Sequence, residues 1–450
     1  MSIEEVHQRI RTTRTQDLET LCELVRRPSI STRGEGIEEC ASHLKEIMIQ
    51  AGIEARVYQT AGNPVVFGEV TAEAKGVPTV LFYGHYDVQP PDPLEEWLSP
   101  PFTPTVRNGR LYGRGTGDNK GQLLTHILAV RSYLQNTGTV PINVKLLFEG
   151  EEETGSPSLT EFVTSNRELL AADLVLTSDG PMHESGAPQV VFGVRGVMNM
   201  ELRLRTARSD NHSGNRGGVI PNAAWEMVEI LRTMRNPDGG VTIAGFYDDV
   251  APPSRYELEM LDRLPYDPST LAGVYGVERL ELEKTEFYRN LMFRPTLTIN
   301  GLSSGHSGAG TKNIIPGAAS AKLDVRLVHD QKPHDIFTKI ERHLHKHEPR
   351  VELIAEEEDM LPSRTSAELP ISQAVIAAVE KAFGRHPFVL PSMGGSLPDY
   401  VWTKGLGMPS IMVPYANADE ANHAPNENIA LECFYNGIHS SAQIMHELQG

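Results

Sequence analysis

The chain runs to 450 residues, 39% hydrophobic, 22% charged and 6% aromatic, proportions that suit a large buried core and exclude disorder; at roughly 150 residues per domain, two domains are expected. With 41 basic against 59 acidic side chains the formal charge is -18, a field that repels phosphate backbones and anionic membranes and so excludes both as expected partners. The scattered Cys22, Cys40 and Cys433 exclude a disulfide framework or a cysteine zinc site, and the charged opening lacks the apolar stretch of a leader, so a cytoplasmic protein is expected.

Leu18, Leu21, Leu24 and Val25 recur at helical spacing, and Ile37 to Met48 repeats the pattern. Thr79-Val-Leu-Phe-Tyr, followed by Gly84-His85, is the first of four short apolar runs that are bounded by turn residues and end in ligand-capable side chains. After the turn Gly113-Arg-Gly-Thr-Gly-Asp118, residues Gly121 to Leu134 read as a helix. The second run, Val144-Lys-Leu-Leu-Phe, leads into Glu149 to Glu153, and the third, Leu174-Val-Leu-Thr-Ser, precedes Asp179. From Met198 to Arg205 apolar and polar residues alternate, the period of a half-exposed strand. A helix around Asn222 to Arg232 follows, then strands at Thr296-Leu-Thr-Ile and Ala321 to Leu327. A helix near Asp335 to Leu344 and a strand at Val351-Glu-Leu-Ile complete a split βαβ order. Pro370 to Phe383 returns to a buried helix, and the fourth run, Ser410-Ile-Met-Val-Pro, leads to His423.

Helices alternating with buried strands predict an α/β fold: a mainly parallel sheet flanked by helices over residues 1–192 and 364–450. Into it an α+β, ferredoxin-like module is inserted over 193–363. The acidic Glu356-Glu-Glu-Asp359 reads as a solvated edge. His343-Leu-His-Lys-His347 lies on a charged helix where only the outer two share a face, so it also reads as solvated.

In open α/β sheets ligands gather outside the carboxyl ends of the strands, so residues far apart in sequence can converge there. His85-Tyr86-Asp87 acquires meaning beside Asp118, which sits in a glycine-bounded turn before a helix. That turn lacks the strand-led GxGxxG spacing of a dinucleotide loop and would aim a carboxylate at pyrophosphate. Glu149-Gly-Glu-Glu-Glu153 gathers four carboxylates just past an apolar strand, which is costly unless cations neutralise them. Neighbouring Glu152 and Glu153 point in different directions, so one can hold metal while the other faces a water. With Asp179 and His423 the donors become two imidazoles and three carboxylates, a set suited to zinc, cobalt or manganese. Such ions lower the pKa of a water to about 7, with Glu152 as the general base. Gly394-Gly-Ser-Leu-Pro398 lacks the second glycine of a nucleophile elbow, so Gly395 and Ser396 are read as substrate contacts.

With these residues in place the chain resembles the dinuclear metallopeptidases that include carnosinases, bacterial dipeptidases, aminoacylase, acetylornithine deacetylase and glutamate carboxypeptidase. The likeness to cytosolic non-specific dipeptidases rests on Phe82-Tyr-Gly-His-Tyr-Asp-Val-Gln-Pro90, Leu111-Tyr-Gly-Arg-Gly115, Glu152-Glu-Thr-Gly-Ser156 and Gly394-Gly-Ser-Leu-Pro398. The resemblance implies that Asp118 bridges two metal ions, His85 and Asp179 completing one site, Glu153 and His423 the other. It makes Glu152 the catalytic base and has Asp87 orient His85. It further implies a homodimer built through the inserted lid module, His212 reaching across it to the developing oxyanion and Arg326 gripping the substrate's terminal carboxylate. Asn119 stands where many relatives carry a second aspartate. Asn313 replaces the threonine of many dipeptidases near the substrate. The expected activity is hydrolysis of dipeptides or short peptides with a free terminal carboxylate, with an N-acyl-amino-acid deacylase or carboxypeptidase on the same centre as the alternative.

Overall fold

Val80, Leu81, Phe82 and Tyr83 are all buried within the strand Thr79–His85, as a continuous apolar run requires of a parallel strand covered on both faces. The structure, a computed structural model, describes residues 2–356 and 359–450; Glu357 and Glu358 of the expected acidic edge lie outside the described residues. The chain divides into two units, Met1–Gly193 with Arg364–Pro391 and Pro398–Gly450, and Val194–Ser363 with Ser392–Leu397.

In the first unit eight strands form one sheet. Its four central members, Asn143–Glu149, Thr79–His85, Leu174–Thr177 and Ser410–Met412, run parallel. Val65–Val70 and Glu54–Tyr58 extend it antiparallel at one edge. In this register His85 lies beside Glu149 and Tyr83 beside Thr177, so the strand ends that carry the candidate ligands are level with one another.

The helix Lys120–Thr137 is buried continuously from Lys120 to Tyr133, covered by the helices Ile3–Val25 and Leu431–Glu447. One consequence is a pH-sensitive core. His126 is fully buried, its ring 4.6 Å from Phe82, its Nδ1 3.0 Å from Ser441 Oγ and its Nε2 without a hydrogen-bond partner among the described residues. Burial pushes this imidazole down to about 3. A depressed histidine favours the fold fully above its unfolded value near 6.5, and that contribution is lost as pH falls from there towards 3. Lowering the pH from 7.5 to 5.0 should therefore cost about 2 kcal/mol through this residue alone. A His126→Gln variant should show a correspondingly shallower fall in unfolding free energy between those two pH values.

In the second unit the strands Thr296–Ser304, Ala318–Leu327, Gly196–Arg205 and Glu352–Ala355 pair antiparallel in that order. Met198, Met200, Leu202 and Leu204 face a core shared with Met227 and Ile230 of Ala223–Thr233 and with Ile336, Ile340 and Leu344 of Pro333–His347. Asn222 caps the first of these helices through the N–H groups of Ala224 and Trp225. Strand order and helix placement match the expected ferredoxin-like pattern.

Three differences from the sequence reading stand out. Between Ala223–Thr233 and Thr296–Ser304 lie the helices Arg255–Arg263, Pro268–Tyr275 and Lys284–Phe293, each ten residues or fewer. Their starts are marked less by apolar periodicity than by caps such as the Ser254–Glu257 capping box and Asp267. Ser392–Leu397 joins the second unit because Arg195 N–H and Nε donate to the carbonyls of Gly395 and Gly394, at 3.1 and 3.0 Å. His343 is not solvated: it is half-buried, its Nε2 lies 2.9 Å from Thr233 Oγ1 on the neighbouring helix, and its ring stacks 4.5 Å from His347.

Candidate metal centre

Each candidate ligand of the first unit sits at or beyond the carboxyl end of a parallel strand or on the loop before the buried helix. His85 closes Thr79–His85, and Glu152 and Glu153 open the short turn after Asn143–Glu149. Asp179 follows Leu174–Thr177 by two residues, and His423 lies on the loop after Ser410–Met412 with φ +56°. Asp118 precedes Lys120–Thr137, whose N-cap residue is Asn119. The Asn119 amide donates to Ser178 O at 2.7 Å and accepts from His85 N at 3.4 Å. An ionised aspartate there could not donate to that carbonyl, so asparagine ties together the two strand ends that carry the candidate ligands His85 and Asp179.

The two carboxylate oxygens of Asp118 face different imidazoles. Oδ1 lies 3.0 Å from His85 Nε2, which is also 3.6 Å from Asp179 Oδ2. Oδ2 lies 3.0 Å from His423 Nε2, which is 3.2 Å from Glu153 Oε2. Two trios result, His85–Asp118–Asp179 and Asp118–Glu153–His423, each with donor atoms within 4.8 Å of one another. His85 Nδ1 is held by Asp87, 3.1 Å from its carbonyl and 3.3 Å from its carboxylate. That leaves Nε2 aimed into the trio, buried and without hydrogen-bond geometry to any partner among the described residues.

Electrostatics describe the same cation-shaped site. Burial opposes charge on His85, but Asp118, Asp179 and Asp87 outweigh it and push the imidazole well above its ordinary value. Asp118 and Glu153 raise His423 to about 10. Burial raises Asp118, yet His423 and His85 bring it down below the usual carboxylate range. Burial and then neighbouring carboxylates push Glu153 up, and Glu152 well up. Imidazoles that attract protons and carboxylates that resist ionisation mark a place where divalent cations belong. The nitrogen and oxygen donors, the shared carboxylate and the orphaned Nε2 all fit a pair of divalent metal ions.

The four-carboxylate run divides its labour. Glu151 accepts from Asn63 N and Ser158 N at 2.8 and 3.1 Å and so organises a loop. Glu149 is buried against the Tyr83 and Ser156 hydroxyls, and burial raises it to about 7. Glu152 and Glu153 direct their N–H groups to the two oxygens of Asp87, at 3.2 and 3.1 Å. Asp87 therefore fixes both His85 and the turn bearing the candidate base Glu152 and the candidate ligand Glu153.

Three buried residues escaped the sequence reading. Arg114 and Glu427 form an ion pair at 2.7 Å with exposures of 1% and 0%. Glu420 packs its carboxylate against Gly117, where an added Cβ would sit 2.2 Å from Oε2. Both Glu420 oxygens are buried without a partner among the described residues, and burial followed by the charge of Asp118 pushes it up to about 9. The sequence offered one signal, a glutamate four residues after His423.

In the second unit the predicted residues form two pairs. His212 and Asn313 are neighbours through the Asn211–His212 and Ile314–Ile315 pairing, with Ser213 N donating to Asn313 O at 3.1 Å. Both are exposed, and His212 Nδ1 accepts from Gly214 N at 3.1 Å. Arg326 Nη1 donates to Ser396 Oγ at 2.8 Å and its Nε to Asp324 at 3.1 Å. Arg195, bound to Gly394 and Gly395, is lowered to about 10 by burial and by the nearby Arg326 guanidinium.

The sequence profile of peptidase family M20/M25/M40 matches residues 81–447. The Cys-Gly metallodipeptidase dug1 of Schizosaccharomyces pombe is 30% identical over 401 residues, covering 86% of this chain and 83% of that protein. The Beta-Ala-His dipeptidase of Homo sapiens is 30% identical over 380 residues, 81% of this chain and 74% of that one. Among solved structures, an M20 family metallo-carboxypeptidase from Sulfolobus solfataricus matches with a TM-score of 0.87 at 36% identity, over 96% of this chain and 99% of that one. By that match across most of its length, the chain belongs to peptidase family M20/M25/M40.

Proposed function

We propose that the chain hydrolyses the amide bond of dipeptides or short peptides that carry a free terminal carboxylate, using two divalent metal ions. The observation that carries this is the single buried carboxylate of Asp118 shared between two ligand trios. In this reading His85, Asp118 and Asp179 hold one ion, and Asp118, Glu153 and His423 hold the other. Zinc is the first candidate, with cobalt and manganese as alternatives. Bound there, such ions supply Lewis acidity, acidifying a water and polarising the scissile carbonyl.

The remaining chemistry belongs to the side chains. Glu152, its backbone fixed on Asp87, takes a proton from the attacking water and delivers it to the leaving nitrogen. Asp87 holds the His85 ring in one orientation. Arg326 binds the terminal carboxylate, its planar fork steadied by Ser396 and Asp324, while Gly395, Ser396 and Asn313 contact the rest of the substrate. The second unit serves as lid and dimerisation module of a homodimer in which His212 donates to the developing oxyanion. The exposed edge strand Thr296–Ser304, with Ile299 and Leu302 at 50% and 55% exposure, supports association through that unit. Cytoplasmic residence is consistent with three free cysteines.

If Arg326 reads the carboxylate, an Arg326→Met variant should raise KM for a dipeptide by about 100-fold while lowering the preference for the free acid over its C-terminal amide to near unity. The substrate class is tested by incubating metal-loaded protein with dipeptides, longer peptides and N-acetyl or N-succinyl amino acids and scoring free amine. Dipeptide cleavage is expected. Cleavage confined to N-acyl compounds would assign a deacylase, and stepwise shortening of long peptides from the carboxyl end a carboxypeptidase, the activity named for the Sulfolobus solfataricus relative.

A further inference from the structure

The loop bearing Asp118 is folded around a carboxylate that is not its own. Glu427 Oε1 accepts the backbone N–H groups of Gly115, Gly117 and Asp118 at 3.0, 2.9 and 3.1 Å. Its Oε2 accepts from Gly115 N at 3.0 Å and from Arg114 Nη1 at 2.7 Å. Amides converging in this way form an anion-binding nest, and the anion here is a side chain. Gly115 adopts φ +89°, which a side chain there would resist.

Stability alone does not account for the arrangement. Glu427 is fully buried, and a buried ion pair gains little over an apolar pair of the same volume. Position accounts for it better. Glu427 lies four residues beyond His423 on one segment. That segment is also joined to the Asp118 side by Gly113 N donating to Glu427 O at 3.0 Å and by Asn428 and Ile429 pairing with Tyr112 and Leu111. His423 in turn stands 3.0 Å from Asp118 Oδ2.

We infer that Glu427 is a positioning residue of the metal centre: paired with Arg114, it fixes the backbone beneath Asp118 and ties that shared carboxylate to His423, so that both trios keep their spacing. This rests on the two-metal reading above. Outer-shell groups of this kind typically change metal affinity by about 10- to 100-fold when removed.

The test measures metal affinity by chelator competition, beside turnover and thermal unfolding, in wild type, Glu427→Gln, Glu427→Asp and a control, Asp17→Asn. Glu427→Asp keeps the charge but is shorter by one methylene, so it isolates reach from charge and remains foldable if the glutamine variant is not. Asp17 forms another buried ion pair, with Arg131, eleven residues or roughly 16 Å along the helix from Lys120. The expected result is metal affinity at least tenfold weaker in both Glu427 variants, kcat recovering as metal is raised to saturation, and affinity within threefold of wild type in Asp17→Asn. Unchanged affinity in the Glu427 variants would overturn the inference, as would an equal loss in Asp17→Asn, since affinity would then merely follow stability. Failure of the wild type to bind divalent ions would instead overturn the two-metal reading on which the inference stands.

Discussion

Replacing Glu152 with glutamine should leave both metal ions bound and lower kcat on a dipeptide by about a thousandfold, within the range that general acid–base catalysis supplies. Three features make this the sharpest side-chain test. Glu152 belongs to neither ligand trio, so its loss should not empty the site. Its amide N–H is anchored on Asp87, and glutamine preserves that backbone contact and the side-chain shape. The substitution removes the carboxylate's charge and, with it, proton acceptance, because an amide cannot take the proton from water and return it to the leaving nitrogen. A thousandfold loss corresponds to about 4 kcal/mol of transition-state stabilisation. Measured beside metal content, near-normal kcat in a fully loaded variant would remove Glu152 from the mechanism.

The largest effect is expected at Asp118. Its two oxygens serve both trios, so Asp118→Ala removes one donor from each site at once, whereas Asp179→Ala or His423→Ala removes a donor from only one. The half-buried Glu152, Glu153 and Asp179 side chains remain, but without the shared carboxylate each trio keeps only two donors and less negative charge to hold an ion. Hydrolysis should fall by at least about ten-thousandfold, to background. Metal analysis should find fewer than one ion per chain, against one retained ion for the single-site variants. Two tightly held ions in Asp118→Ala would show that the shared carboxylate is not the bridge.

Much of this centre is legible from sequence because it follows from local rules. Buried parallel strands are read from short apolar runs, and residues just past their ends converge by topology; that places His85, Glu152, Glu153 and Asp179 without knowledge of pairing. His423 needed the same rule extended over a loop. The alternation from Met198 to Leu204 likewise announced the second unit, since one strand face must meet a core.

What stayed hidden depends on contacts across hundreds of residues or on weak local signals. Glu427 reaches Asp118 N from 309 positions away, and its place four residues after His423 is too weak a signal to separate it from a surface glutamate. Arg114 lies in the Leu111-Tyr-Gly-Arg-Gly115 stretch, yet its role depends on that distant partner. The helices Arg255–Arg263, Pro268–Tyr275 and Lys284–Phe293 are too short for apolar periodicity to stand out. The half-burial of His343 follows from Thr233 on another helix, a packing decision that its own charged neighbours conceal.

The central claim is that two divalent ions held around Asp118 are required for amide hydrolysis. It is tested most directly by stripping the protein with a chelator, removing the chelator, and following dipeptide cleavage while zinc, cobalt or manganese is added in known equivalents. Activity absent at zero metal and levelling at two equivalents per chain is the predicted result; full activity in the metal-free protein would contradict it.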